Sequence, residues 1–96
     1  MNSLEDFRRE IDKLDAALLE TLGNRLAVCA EVARFKKSQN IPMMQPARVE
    51  MVKDRVAALA ERHHLRPEFV RDLYGKIIAE ACRLEDEIIG QPHTHG

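Results

Sequence analysis

Apolar residues recur at steps of three and four from the N-terminus to about residue 38, and no proline interrupts this stretch. The spacing predicts one long amphipathic helix over residues 4–38, because residues three and four apart lie on the same helical face. Ser3 followed by Asp6 is typical of an N-cap with an acidic first turn. The apolar positions of this predicted helix are Leu4, Phe7, Ile11, Leu14, Leu18, Leu22, Cys29, Val32 and Phe35.

A proline-containing loop separates this helix from the next one. Pro42 and Pro46 fall within residues 40–46, which show no sustained apolar period and therefore predict a loop. The helical spacing then resumes, and it predicts a second, shorter helix over residues 47–63.

A third helix is predicted over residues 67–89. Pro67 is favourable at the first helical position, and Gly90 is a typical terminator. Residues 90–96 are expected to form a mobile tail. The pattern therefore predicts an all-α chain of one long, one short and one medium-long helix, folded as a single domain over residues 1–96.

The predicted first helix is too long for a compact domain of this size. At about 1.5 Å per residue it would extend about 50 Å. A compact globule of 96 residues has a diameter of only roughly 30 Å. Because the apolar stripe runs the whole length of the helix, the overhanging part needs a cover, and a second copy of the chain is the commonest one. We therefore expect an intertwined homodimeric helical bundle.

Composition narrows the function classes. The formal net charge is −1, with acidic and basic residues interspersed, and only 4% of the residues are aromatic. Neither a basic surface nor stacking platforms are present, so a nucleic-acid partner is not expected. No apolar run is long enough for a membrane helix, and the N-terminus lacks a secretory pattern. We expect a cytoplasmic protein with no membrane partner.

Metal and cofactor chemistry are not indicated. Cys29 and Cys82 have no metal-ligand spacing and are expected to be small packing residues. His93 and His95 form only a weak metal signal in the expected tail. No dinucleotide, phosphate-loop or nucleophile motif occurs, so we expect neither a metal nor a cofactor.

Charged residues nevertheless occupy apolar faces. Arg25 and Lys36 are eleven residues apart, so they differ by only about 20° around the helix and share the face of Cys29 and Val32. On the third helix, Glu85 belongs to the inward series of Tyr74, Ile78, Ala81, Glu85 and Ile88. These charges could converge on an anionic ligand. They could instead reach solvent along apolar surface, or form a structural ion pair.

Arg8 is rotated by about 100° from Arg25 on the same helix. It therefore cannot easily serve the same pocket as the Arg25 of its own chain. In an antiparallel dimer it could enter the pocket of the partner subunit.

The sequence resembles the all-helical chorismate mutase family over nearly its whole length, from Phe7 to Ile89. Five short strings in family order carry the resemblance: FRREIDKLD at 7–15, NRLAV at 24–28, ARFK at 33–36, PARVE at 46–50 and IIAE at 77–80. The resemblance implies an isomerase that converts chorismate to prephenate in aromatic amino-acid biosynthesis or a related secondary pathway. It implies no cofactor, metal or covalent intermediate.

The resemblance also implies residue roles. Arg25 and the partner's Arg8 would bind the two substrate carboxylates, and Arg48 would close the loop side of the pocket. Lys36 and Glu85 would be catalytic, because both would donate hydrogen bonds to the ether oxygen of the substrate. Glu85 would have to be protonated, since a carboxylate has no proton to donate.

Three further substrate-contact positions depart from the family pattern. Gln45, Val49 and Ala81 stand where many members carry an acidic residue, a Glu and a Ser. Contacts to the ring substituent are therefore open, and so is the substrate. The alternatives are an isochorismate-pyruvate lyase, which forms salicylate, and a 4-amino-4-deoxychorismate mutase. A helical dimerisation module, in which the inward charges set the register, is the non-enzymatic alternative.

Overall fold

The computed structural model describes residues 3–42 and 46–90 of the chain. These residues form three α-helices and no strand, which confirms the predicted fold class. The helices are α1 (Leu4–Gln39), α2 (Pro46–Arg62) and α3 (Pro67–Ile89). Their ends differ from the predicted ones by one residue at most. The tail beyond Gly90, with His93 and His95, lies outside the described residues.

Local hydrogen bonds fix both ends of α1. The Ser3 hydroxyl accepts from the Asp6 backbone N–H at 3.1 Å, and the Asp6 carboxylate accepts from the Ser3 N–H at 3.4 Å. The hydrogen bond with Ser3, and then that with Arg9, lower the pKa of Asp6. The resulting negative charge is favourable at a helix N-terminus. At the other end, Asn40 adopts a left-handed conformation with φ 57° and terminates the helix.

The core lies between α2 and α3. Inward residues spaced four apart on each helix meet there, as the apolar periodicity of both helices requires. The buried cluster consists of Val52, Val56, Ala60 and Val70, with Tyr74 and Ile78 packed against it. Among the described helices, α1 packs against α3 and not against α2, and its buried residues are Ala30 and Ala33. The central position of α3 therefore sets the separation of the other two helices.

The N-terminal half of α1 extends beyond this core. Phe7 and Ile11 are each 55% exposed, and Leu14 and Leu18 are more than 60% exposed. The Cα radius of gyration is 17.3 Å and the longest extent is 58 Å, whereas a compact chain of this length has a radius of about 12.5 Å. The N-terminal part of the apolar stripe predicted for α1 is thus left uncovered by residues 3–42 and 46–90. Among the described residues, no helix is apolar and long enough to cross a membrane.

Candidate active site

A cavity of about 210 Å³ lies between the three helices. Both α1 and α2 pack on α3, but in the described residues no Cα atom of α1 lies within 8 Å of α2. The space between α1 and α2 is therefore left open, and we call it the central cavity. Its lining residues are Arg25, Cys29, Val32 and Lys36 of α1, Arg48, Val49 and Val52 of α2, and Ile78, Ala81, Cys82 and Glu85 of α3.

Most of the predicted site residues lie together in this cavity. Those that line it are Arg25, Lys36, Arg48, Val49, Ala81 and Glu85. Arg8 is exposed on the N-terminal half of α1 and does not line the cavity of its own chain. Gln45 lies outside the described residues.

Five cavity residues were not predicted as site residues: Cys29, Val32, Val52, Ile78 and Cys82. Val52 lies one helical turn after Arg48, and Cys82 lies three residues before Glu85. Helical spacing from the predicted charges could therefore have found them, because positions three and four apart share a face.

The cavity carries an excess of positive charge. It is lined by the cations Arg25, Lys36 and Arg48 and by one carboxylate, that of Glu85. The Lys36 Nζ lies 3.8 Å from the Glu85 Oε1, and these side chains are only 19% and 12% exposed. This separation makes an ion pair but is too long for a hydrogen bond. With Glu85 ionised, the described lining residues carry a net charge of +2, which suits a ligand with two carboxylates.

The last turns of α1 and α3 are joined next to this ion pair. The Lys37 Nζ donates a hydrogen bond of 3.1 Å to the backbone carbonyl of Ile88. A cation is favourable there, because the carbonyl groups at a helix C-terminus carry partial negative charge. Lys37 follows Lys36 directly, and Ile88 lies one turn after Glu85. The contact therefore fixes the two helix segments that carry the ion pair.

Arg25 contacts uncharged groups. Its guanidinium carbon lies 5.5 Å from the centre of the Tyr74 ring, and its Nη1 lies 3.8 Å from the Cys29 sulfur. In the described part of the chain, no ion pair joins Arg25 to a carboxylate. The guanidinium is thus held at the cavity with its charge unneutralised.

Comparison with known proteins identifies the family that has this fold and this set of charges. Residues 7–86 match the family described as chorismate mutase type II. The chain belongs to this family. The match includes every described cavity residue and confirms the resemblance seen in the sequence. Chorismate mutases are isomerases, so the chain belongs to a family of enzymes rather than of dimerisation modules.

Three relatives illustrate two of the activities named for similar proteins. A 4-amino-4-deoxychorismate mutase of Streptomyces venezuelae is 43% identical over 90 residues, which cover 94% of this chain and 87% of the relative. A 4-amino-4-deoxychorismate mutase of Streptomyces pristinaespiralis is 43% identical over 86 residues, covering 90% and 67%. A chorismate mutase of Methanocaldococcus jannaschii is 28% identical over 65 residues, covering 68% and 66%.

Two thiols line the central cavity, those of Cys29 and Cys82. The surroundings of Cys82 favour its protonated form. Burial raises the pKa of the Cys82 thiol, and the nearby charges of Glu85 and Asp86 raise it further. Lys36 opposes this effect without reversing its direction. Because the thiolate is the reactive form, the raised pKa makes the Cys82 thiol less reactive near neutral pH than an ordinary thiol.

We expect iodoacetamide to label Cys82 slowly near neutral pH and faster only when the pH exceeds the usual titration range of a thiol. The rate is measured by mass spectrometry in a Cys29→Ser variant, so that only one thiol reports. The same variant unfolded in guanidinium provides the unshifted control. Labelling of the folded chain as fast as that of the unfolded chain at neutral pH contradicts the raised pKa.

Proposed function

We propose that this chain catalyses the intramolecular rearrangement of a chorismate-type dicarboxylate in the central cavity. The observation that carries the proposal is the convergence of Arg25, Lys36 and Arg48 with the single carboxylate of Glu85. A ligand with two carboxylates supplies negative charge to a described lining in which three cations face one carboxyl group. Without such a ligand, uncompensated cations in a partly desolvated cavity are unfavourable.

The reaction breaks a C–O bond of the ether and forms a C–C bond within one molecule, so no nucleophile is required. Arg25 binds one substrate carboxylate in a bidentate fork, and Arg48 closes the α2 side of the cavity. Lys36 lies where it can stabilise the negative charge that develops on the ether oxygen. Preorganised charge of this kind and confinement of the compact conformer are the two sources of rate enhancement.

Glu85 acts on the same ether oxygen. The Lys36 Nζ and the Glu85 Oε1 are 3.8 Å apart. One ether oxygen can therefore lie within hydrogen-bond distance of both atoms. For Glu85 to donate, its carboxyl must carry a proton.

The substrate that we favour is 4-amino-4-deoxychorismate. The two Streptomyces relatives at 43% identity carry that name. Val49 and Ala81 offer no hydroxyl or carboxylate to the ring substituent, which distinguishes this cavity from the pattern expected for many chorismate mutases. Chorismate, and with it a role in aromatic amino-acid biosynthesis, is the second candidate, because it is the substrate named for the family and for the M. jannaschii relative.

The active form that we propose is a homodimer in the cytoplasm. The uncovered apolar residues on the N-terminal half of α1 support the dimer, because a second copy is the commonest cover for such a stripe. Arg8 lies on that half of the helix, away from the cavity of its own chain. In the dimer, Arg8 enters the partner's cavity and binds the second substrate carboxylate.

Purified protein is expected to convert 4-amino-4-deoxychorismate with a kcat/KM at least about tenfold above that for chorismate, since single polar substituents are commonly discriminated by this much. Substrate loss is followed by absorbance, and products are identified by mass spectrometry. A mutase product has the mass of its substrate. Release of pyruvate from isochorismate would instead identify a lyase.

Lys36→Ala is expected to lower kcat by about 10²- to 10³-fold.

The proposed mechanism requires a hydrogen-bond donor at position 85. Glu85→Gln keeps a donor at every pH, so it should retain activity across the pH range. Glu80→Gln is the matched control, since Glu80 is on the same helix but pairs with the exposed Arg83. Loss of activity in Glu85→Gln at every pH contradicts the donor role.

Mixing two inactive variants tests the shared site. Arg8→Ala and Arg25→Ala should each lose activity as homodimers. After unfolding and refolding together, the mixed dimers contain one intact site, so about a quarter of the wild-type activity should return. In the control experiment, Arg9→Ala is used in place of Arg8→Ala. The Arg9→Ala homodimer should be active without any second variant. If no activity returns although mixed dimers are present, Arg8 does not act across the interface.

A further inference from the structure

The groups that contact the Arg25 guanidinium differ from those that contact several other arginines of the chain. Arg9, Arg71 and Arg83 each pair with a carboxylate on the protein surface. Arg25 instead stacks over the ring of Tyr74 at 5.5 Å, and its Nη1 approaches the Cys29 sulfur at 3.8 Å. Neither partner is an anion, so both leave the guanidinium charge available to a ligand.

The ring of Tyr74 is fixed from behind by the core. Tyr74 is half-buried on α3 and packs against the cluster that contains Val52, Val56, Ala60 and Val70. It does not line the central cavity, whereas Arg25 does. Tyr74 therefore lies between the α2–α3 core and the guanidinium, and its position is set by packing rather than by the ligand.

A ring and a carboxylate would position Arg25 with opposite consequences for binding. A carboxylate would compete with the substrate for the same guanidinium hydrogen bonds. The face of an aromatic ring attracts the cation through its quadrupole and leaves the N–H groups at the edge of the guanidinium free to donate. The ring thus restricts the flexible Arg side chain before the substrate arrives, which reduces the entropy lost on binding.

We propose that Tyr74 is a positioning residue for substrate binding: its ring holds the guanidinium of Arg25 at the cavity with the charge unneutralised. This inference rests on the proposed function, since it assigns Arg25 to a substrate carboxylate. The effect is exerted through Arg25 alone, because Tyr74 does not itself line the cavity.

Steady-state kinetics of three variants separate positioning from simple folding. Tyr74→Leu removes the ring and is expected to raise KM by about 3- to 30-fold, the range of a cation–π contact, with kcat within about twofold of wild type. Tyr74→Phe keeps the ring and should have the wild-type KM. Val56→Ala weakens the same core without touching the ring, so it should lower stability and leave KM unchanged.

The contact itself is measured without any substrate. In a 1H–15N NMR spectrum, the Arg25 side-chain Nε–H signal, assigned by its loss in Arg25→Lys, should be shifted upfield by the ring in the wild type and in Tyr74→Phe. The shift should be absent in Tyr74→Leu.

Two results overturn the inference: an Arg25 signal without a ring shift in the wild type, or a Tyr74→Leu variant with the wild-type KM. Failure of the proposed function looks different. In that case the wild type converts none of the three chorismate-type substrates, while the NMR experiment still decides whether the ring holds Arg25.

Discussion

Positive charge held against the inside of a helical bundle is the constraint on which this structure depends. Lys36 and Glu85 are paired at 3.8 Å with little exposure, and Arg25 is held by a ring and a thiol. Such groups contribute little to stability, because desolvation offsets the attraction between buried charges. The arrangement is understandable as a binding site whose remaining partner is an anionic ligand. The apolar contacts of α2 with α3 supply the stability that this site does not.

The long first helix links the site to assembly. Its C-terminal half carries Arg25 and Lys36 into the cavity, while its N-terminal half carries both Arg8 and an uncovered apolar stripe. One helix therefore presents cations at two places that are about 25 Å apart along its axis, at 1.5 Å per residue. A fold of three helices has few residues to spare, and a shared site in a dimer would let a short chain surround a small diacid on all sides.

Much of the fold and part of the site follow from local rules. Prolines and glycine define the helix ends, and rotation by 100° per residue places Arg25 and Lys36 on the apolar face, where the structure has them. The partners of these residues could not be found in the same way. The stacking of Tyr74 on Arg25 and the hydrogen bond from Lys37 to the Ile88 carbonyl join different helices, and each depends on how α1 packs on α3. Helical periodicity predicts the face on which a residue lies, but it does not predict the register in which two helices pack. It therefore cannot predict contacts between residues about 50 positions apart in the sequence.

A crystal structure of the chain with a non-reactive dicarboxylate ether, shaped like the compact conformer of a chorismate-type substrate, tests the central claim most directly. The account predicts the ligand in the central cavity, with one carboxylate on Arg25, the other on the partner's Arg8, and the ether oxygen within hydrogen-bond distance of Lys36. A ligand bound elsewhere, with Arg25 and Lys36 extended into solvent, would contradict it.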